Sequence, residues 1–362
     1  MKILFILPRY HTNYIEIFKT LLSKGHKVKL CVYNFGFIED HKIIKPKIIQ
    51  PSFFTNLINY FIKSKLNKFY LPNINKFNDF IEKFSPDVVI MRPYSKIFTT
   101  FFLMYKFFKK FELIFYHQTD KKKLEKFNLS YKFLKFFLLD KVLKLKSYSP
   151  IINRHDNLYY KKFYYLPFVA RINFKEKKIT KKNKFLMIGK FLKKKNHEMF
   201  IEGIKFLDQK HKVEGMIIGE ASTLEQKKEF NRLKKIIIKN KLENKITMIK
   251  NIDHKIIRNY FHRNDFFVLP TDHDPAPFSL LEAMASGCMV LCSSSCGTKN
   301  YINKSNGMIF QNNNQISLNQ NMLKMIRNKK KFFKNTKKNR LHVNSILGKK
   351  NFEIYFKKLI KD

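Results

Sequence analysis

The 362-residue chain is predicted to be an α/β protein made of two doubly wound, Rossmann-like domains. Three observations lead there. Short apolar runs alternate with longer stretches of helical periodicity along the chain. The runs are continuously apolar, as in parallel strands buried on both faces. The alternation pauses once, at "YYLPFVARINFKEKKITKKNK", where a proline and a charged polar run separate an earlier series from a later one. A chain this long also exceeds what one hydrophobic core usually serves.

Taken in order, the first series reads "KILFILP", "KVKLCVY", "DVVIMR" and "ELIFYH" as strands, with "NYIEIFKTLLSKG" as the first helix. The second reads "KFLMIG", "EGMIIG", "KITMIK", "DFFVLP", "CMVLC" and "GMIF" as strands. Helices "HEMFIEGIKFL" and "QKKEFNRLKKIIIKN" fall between them. This places an amino-terminal domain at 1–167, a linker at 168–183 and a second domain at 184–335. Residues 336–362 are left for terminal helices that could pack back on the first domain. Ligands of doubly wound sheets bind at the carboxyl ends of strands, so the chemistry is expected in a central cleft that the two domains face.

The chain holds 73 Lys+Arg against 27 Asp+Glu, a net +46. Residues 1–180 carry 35 bases and 12 acids, residues 181–362 carry 38 and 15, so each half is +23. No basic domain stands out, as a nucleic-acid binder would show. Abundant Lys, Asn, Ile, Phe and Tyr, with no Trp and only 10 Gly, point to a general compositional bias. An anionic membrane surface is the next reading, and no nucleic-acid partner is expected. The opening "MKILFILPRYHTNY" is too short an apolar run for a signal peptide. No stretch nears the roughly 18 apolar residues of a membrane span. A cytoplasmic protein is expected, with peripheral attachment at the inner face of the cell membrane. Cys31, Cys288, Cys292 and Cys296 read as buried, reduced thiols, because the last three lie along a strand-like run with no paired zinc spacing.

One segment reverses the charge. Residues 264–298 contain no Lys or Arg, and "TDHDPAPFSLLEAMASG" (271–287) gathers three acids. It reads as a strand end, a proline-rich loop and a helix closed by Gly287. Ser279 and Glu282 fit a capping box, in which hydroxyl and carboxylate satisfy amides reciprocally. The rival reading is that Glu282 accepts two vicinal hydroxyls, such as a ribose offers, beside a helix end that suits phosphate. The second segment is "MIGKFLKKKNHEMFI" (187–201), where Lys190, Lys193, Lys194 and Lys195 follow a strand. They are either a solvated loop or, by their place at a strand's carboxyl end, an anion site.

These residues carry a resemblance. "GKFLKKKN" resembles the Gly-Arg-Leu-x3-Lys-Gly stretch of retaining, family-4 glycosyltransferases of the GT-B fold, group 1 type. Lys190 stands at its arginine and Lys195 at its lysine. "DPAPFSLLEAMASG" resembles the paired acids before that family's Glu-Ala-Met-Ala-x-Gly, with Asp274 as the first acid and Glu282 as the second. "IRNYFHRNDFFVLPT", "SNGMIF", "MKILFILPRY" with "KGHKVKLCV", and "SPDVVIMR" extend the likeness over most of the chain.

The resemblance implies a metal-independent hexosyltransferase, needing no cofactor beyond a nucleotide-diphosphate sugar as donor substrate. It would move the sugar with retention to a glycan or lipid-linked acceptor in bacterial surface polysaccharide synthesis (lipopolysaccharide, O-antigen or capsule). Lys190 and Lys195 would meet the diphosphate and Asp274 the transferred sugar. Glu282 would hold the ribose, with Gly189, Phe278, Ser279 and Leu280 completing the donor pocket. His117, ending "ELIFYH", would serve the sugar or acceptor side, with His11 a weaker candidate. Alternatives are a catalytically weak sugar-nucleotide-binding relative and a basic nucleic-acid-binding protein.

The chain departs from the pattern in four places. Lysine replaces arginine at 190 and aspartate replaces glutamate at 274. "RYHTNY" stands where a glycine pair follows the first strand, and "CGTKNY" keeps only Gly297 and Thr298 of a Gly-Gly-x-Pro-Glu motif. Finally, "SFFTNLINYFIKSKLNKFY" (52–70) and "TTFFLMYKFFKKF" (99–111) interleave aromatics with lysines and hold no acid. They are core-facing helices or a surface for anionic lipid.

Overall fold

The computed structural model describes residues 1–35, 41–61, 70–93, 96–118, 145–151, 163–172 and 180–361. Residues 173–179 of the expected linker lie outside them, as do residues 62–69 of the first aromatic-basic stretch. The chain divides into two units, Met1–Phe168 with Glu353–Asp362, and Val169–Phe352.

The first unit runs β1 (Lys2–Leu7), α1 (Ile15–Ser23), β2 (Lys27–Val32), β3 (Lys47–Ile48), α2 (Phe53–Phe61) and α3 (Ile74–Phe84). It continues through β4 (Val88–Met91), α4 (Lys96–Phe108), β5 (Glu112–Tyr116), β6 (Lys146–Ser149) and β7 (Phe163–Tyr165). The strands lie in the order β3-β2-β1-β4-β5-β6-β7, and every pairing is parallel. Burial explains the continuous apolar runs: Ile3 to Leu7 and Val88 to Met91 are all buried. α3 begins on Asn73, whose side chain accepts from the Lys76 amide, and ends where Ser85 turns left-handed at φ 50°. Its Phe77 packs edge-on against Phe98 and Phe102 of α4, both fully buried. Each such ring stabilises the unit by roughly 1.5–3 kcal/mol through burial alone.

The second unit runs β8 (Asn183–Ile188), α5 (His197–Asp208), β9 (Val213–Gly219), α6 (Leu224–Lys239), β10 (Ile246–Lys250) and α7 (His254–Arg263). Then come β11 (Phe266–Leu269), α8 (Phe278–Ala285), β12 (Met289–Ser293), β13 (Gly307–Phe310), α9 (Gln315–Lys334) and α10 (Thr336–Leu347), and α11 (Lys349–Lys361) begins in this unit and belongs to the first from Glu353 on. Its sheet is again parallel, in the order β10-β9-β8-β11-β12-β13. The chain winds outward from β8 to β10, returns to β11, and winds the other way. The switch point therefore lies between β8 and β11, where doubly wound sheets open a crevice for ligands.

Two buried lysines lock elements in place. Lys329 of α9 donates to Asp265 Oδ2 at 2.8 Å and to the carbonyls of Thr180 and Lys182 at 2.9 and 3.0 Å. Lys146 of β6 pairs with Glu112 and donates to the Leu359 carbonyl at 2.9 Å, at the end of α11. The last ten residues thus count with the first unit, where Lys24 also pairs with Glu353 at 3.1 Å. Among the described residues no helix is long and apolar enough to cross a membrane.

Candidate functional site

The two motif segments meet at the carboxyl ends of β8 and β11. After β8, the Gly189 amide donates to the Ile218 carbonyl and the Phe191 amide to the Glu220 carbonyl, at 3.0 and 3.1 Å. This seats the β8 loop against the end of β9, so closely that a Cβ on Gly219 would run into the Gly189 carbonyl. A 3-10 turn, Lys193–Lys195, follows and ends on Asn196 in the left-handed region at φ 52°. That reversal folds Lys195 back, its stem passing beside Gly189, while Lys193 stays exposed.

After β11 the acidic loop is bonded onto this turn. Thr271 Oγ1 and the Asp272 amide both donate to the Lys194 carbonyl, at 3.0 and 2.9 Å. Asp272 accepts the side-chain amides of Asn312 and Asn313 at 2.9 and 2.8 Å, and those bonds hold its carboxyl below the usual range. Asn313 in turn accepts from Asn196 at 3.0 Å. The turn, the acidic loop and the loop after β13 form one network. Within it Lys195 Nζ pairs with Asp274, and both side chains are mostly buried.

Asp274 is fixed from the other side as well. It bridges to Cys296, and its carbonyl accepts the Gly297 amide at 2.9 Å. A Cβ on Gly297 would overlap the Pro275 backbone. The one glycine kept from the otherwise lost motif is thus the one this approach needs.

The expected capping box does not form. The residue before α8 is Pro277, not Ser279, and it makes no side-chain cap. Ser279 sits second in the helix and donates to the Ile188 carbonyl at 3.1 Å, tying α8 to the end of β8. Glu282, fifth in the helix, bonds His254 Nε2 at 2.7 Å instead. Pro277 offers α8 no side-chain cap, and the Ser279 bond to the end of β8 sets the positive dipole end of α8 at the switch point. Leu280 is fully buried, which leaves only its backbone to face a ligand; Phe278 is half-buried.

Lys190, on the β8 loop, pairs with Glu220 at 2.7 Å. His197, first in α5, is buried and stacks on Phe191 at 5.1 Å between centroids. Burial pushes its imidazole down to about 4, so a neutral ring lies beside Lys195. His117 is in the first unit, directly after β5, where its amide donates to the Tyr148 carbonyl at 2.9 Å. His11 precedes the 3-10 turn that leads into α1. All four cysteines are buried thiols outside any disulfide. Among the described residues no cluster of three or more His, Cys, Asp or Glu gathers as metal ligands.

Sequence reasoning passed over Glu220, His254, Asn312 and Asn313. The first two follow or open elements at strand ends, a position that would have flagged them. The asparagines carried no such signal.

Residues 169–342 match the family model for glycosyl transferases, group 1. The match spans nearly all of the second unit. A comparison with curated protein sequences returned no match. Among solved structures, a glycosyltransferase from Rickettsia africae is 17% identical, with a TM-score of 0.72, covering 100% of this chain and 99% of its own. The HepE protein of Anabaena, in complex with UDP and glucose, is 12% identical, with a TM-score of 0.73 and 99% of each chain covered. The lipopolysaccharide outer core galactosyltransferase WaaB is 16% identical, with a TM-score of 0.66 and 99% of each covered. The chain has the GT-B fold.

Proposed function

We propose that the protein is a retaining glycosyltransferase that moves a hexose from a nucleotide-diphosphate sugar to a hydroxyl of a glycan or lipid-linked acceptor. The observation that carries this is the pairing of Lys195 with Asp274 in the loop that leads into α8. A diphosphate needs cations and amide donors, a sugar needs a carboxylate to accept its hydroxyls, and both sets converge at one switch point. Lys195 and Lys190 stabilise charge as it develops on the leaving diphosphate. The α8 amides of Phe278, Ser279 and Leu280 add donors from a helix end, and Gly189 lets the phosphates approach the backbone. Asp274 holds the transferred sugar. Glu282 holds the ribose, and His254, bonded to it at 2.7 Å, fixes the carboxylate's direction.

Retention, the hexosyl class and the acceptor side of His117 rest on the family resemblance. The UDP and glucose bound to the Anabaena structure favour a uridine-type donor, and the WaaB likeness favours surface polysaccharide. With lysines and amides at the diphosphate, turnover needs no divalent ion. The test is transfer to a glycan acceptor from a panel of nucleotide sugars in excess chelator. Turnover with one donor supports the reading; turnover that appears only on adding manganese or magnesium overturns its metal-independent part.

For the acceptor we favour one carried in an anionic membrane. α2 exposes Phe53, Phe54, Leu57 and Tyr60, at 75, 67, 41 and 78%, and α4 exposes Phe108 at 81%. α4 carries Lys96 and Lys106 on the same helix, and exposed aromatics beside lysines suit a lipid headgroup layer. The chain should sediment with phosphatidylglycerol vesicles and be released as salt screens the charge. Binding indifferent to lipid charge would leave these helices without that role.

A further inference from the structure

The Lys190 partner deepens this reading. Glu220 is not a flexible side chain that happens to reach a lysine. Its backbone is pinned on both sides: its carbonyl takes the Phe191 amide at 3.1 Å, and the next amide, Ala221, donates to Asn251 Oδ1 at 2.8 Å. Asn251 itself is held in the left-handed region at φ 57°, with its amide on the Gly219 carbonyl at 2.9 Å. Gly219 tolerates no side chain. The Glu220 backbone is therefore fixed, and its carboxylate, paired with Lys190, is only 12% exposed against 37% for the lysine.

Lys190 faces Glu220, and Lys195 faces Asp274. A diphosphate entering here must draw both lysines from these carboxylates.

We propose that Glu220 is an internal stand-in for phosphate, which holds Lys190 when the site is empty and takes it back as the nucleotide leaves. This rests on the donor-site reading above. The consequence is a site tuned against tight ground-state binding. Contacts that strengthen only as charge develops raise turnover, whereas equal binding of ground and transition states does not. Glu220 lowers the affinity of Lys190 for the resting diphosphate and for the product, and so speeds release of the nucleotide. Neutralising it leaves the lysine present but unclaimed.

The experiment is calorimetry with UDP, ADP and GDP on the full chain, its Glu220→Gln and Lys190→Met variants, and the double variant. Glutamine keeps the size and hydrogen-bonding ends of the side chain. Glu220→Gln should tighten the binding of the preferred nucleotide about two- to fivefold, the range open to a partly exposed ion pair. In the Lys190→Met background the same change should have almost no effect. A second readout is release: the nucleotide should dissociate more slowly from Glu220→Gln than from the native chain. Binding that is unchanged or weaker in Glu220→Gln overturns the proposal, as does a gain that persists without Lys190, which would be a general effect of charge. A native chain that binds none of the three nucleotides overturns the donor-site reading itself. Native binding that ignores Glu220 overturns only the role given to that residue.

Discussion

Lys195→Ala is expected to lower transfer at least roughly a hundredfold, because losing one placed donor to a developing oxyanion costs about 2.7–4 kcal/mol. The structure makes the prediction specific. Lys195 is folded back by the left-handed Asn196 and held in a largely buried pair with Asp274, whereas Lys193 of the same turn is exposed. Lys193→Ala should therefore be mild. Lys190→Ala should resemble Lys195→Ala. The loss at 195 should fall on kcat, since the contact strengthens as the diphosphate departs. Equal losses at 190, 193 and 195 would mean that overall charge, and not placement, serves the reaction.

Much of the fold was legible because the strands are buried on both faces. Each of the ten apolar runs read as a strand is one in the structure. The three missed among the described residues are short or polar. β3 has two residues, both exposed, and β7 has three. β6 is "KSYS", whose lysine is buried only because Glu112 and the end of α11 receive its charge. No local pattern announces a strand whose lysine is satisfied from 213 positions away.

The candidate site was legible as segments but not as partnerships. The lysine turn and the acidic loop were placed at strand ends from their order in the sequence, and the structure joins them there. Their partners come from elsewhere. Glu282 was matched to Ser279 by spacing, but Pro277 opens the helix earlier than a Ser279 cap requires, so that pair never faces itself. His254 lies 28 residues before Glu282 and Glu220 lies 30 after Lys190. Those distances are set by the winding of the sheet and have no periodicity to read. Asn312 and Asn313 were invisible in an asparagine-rich chain until their amides were seen on Asp272.

The division of labour between the two acids is the centre of the account, and titration calorimetry with a nucleoside diphosphate, alongside transfer rates, tests it directly. Without a capping box, Glu282→Gln leaves the start of α8 as it was, so a loss of binding reports the ribose contact. We expect Glu282→Gln to weaken nucleotide binding about tenfold or more, as a charge-assisted bond worth roughly 1.5–3 kcal/mol is lost. Asp274→Asn should leave nucleotide binding no weaker, because the carboxylate it removes meets the sugar and restrains Lys195. Transfer by Asp274→Asn should nevertheless fall about ten- to hundredfold. The opposite pattern, with nucleotide binding abolished by Asp274→Asn and spared by Glu282→Gln, would contradict the assignment.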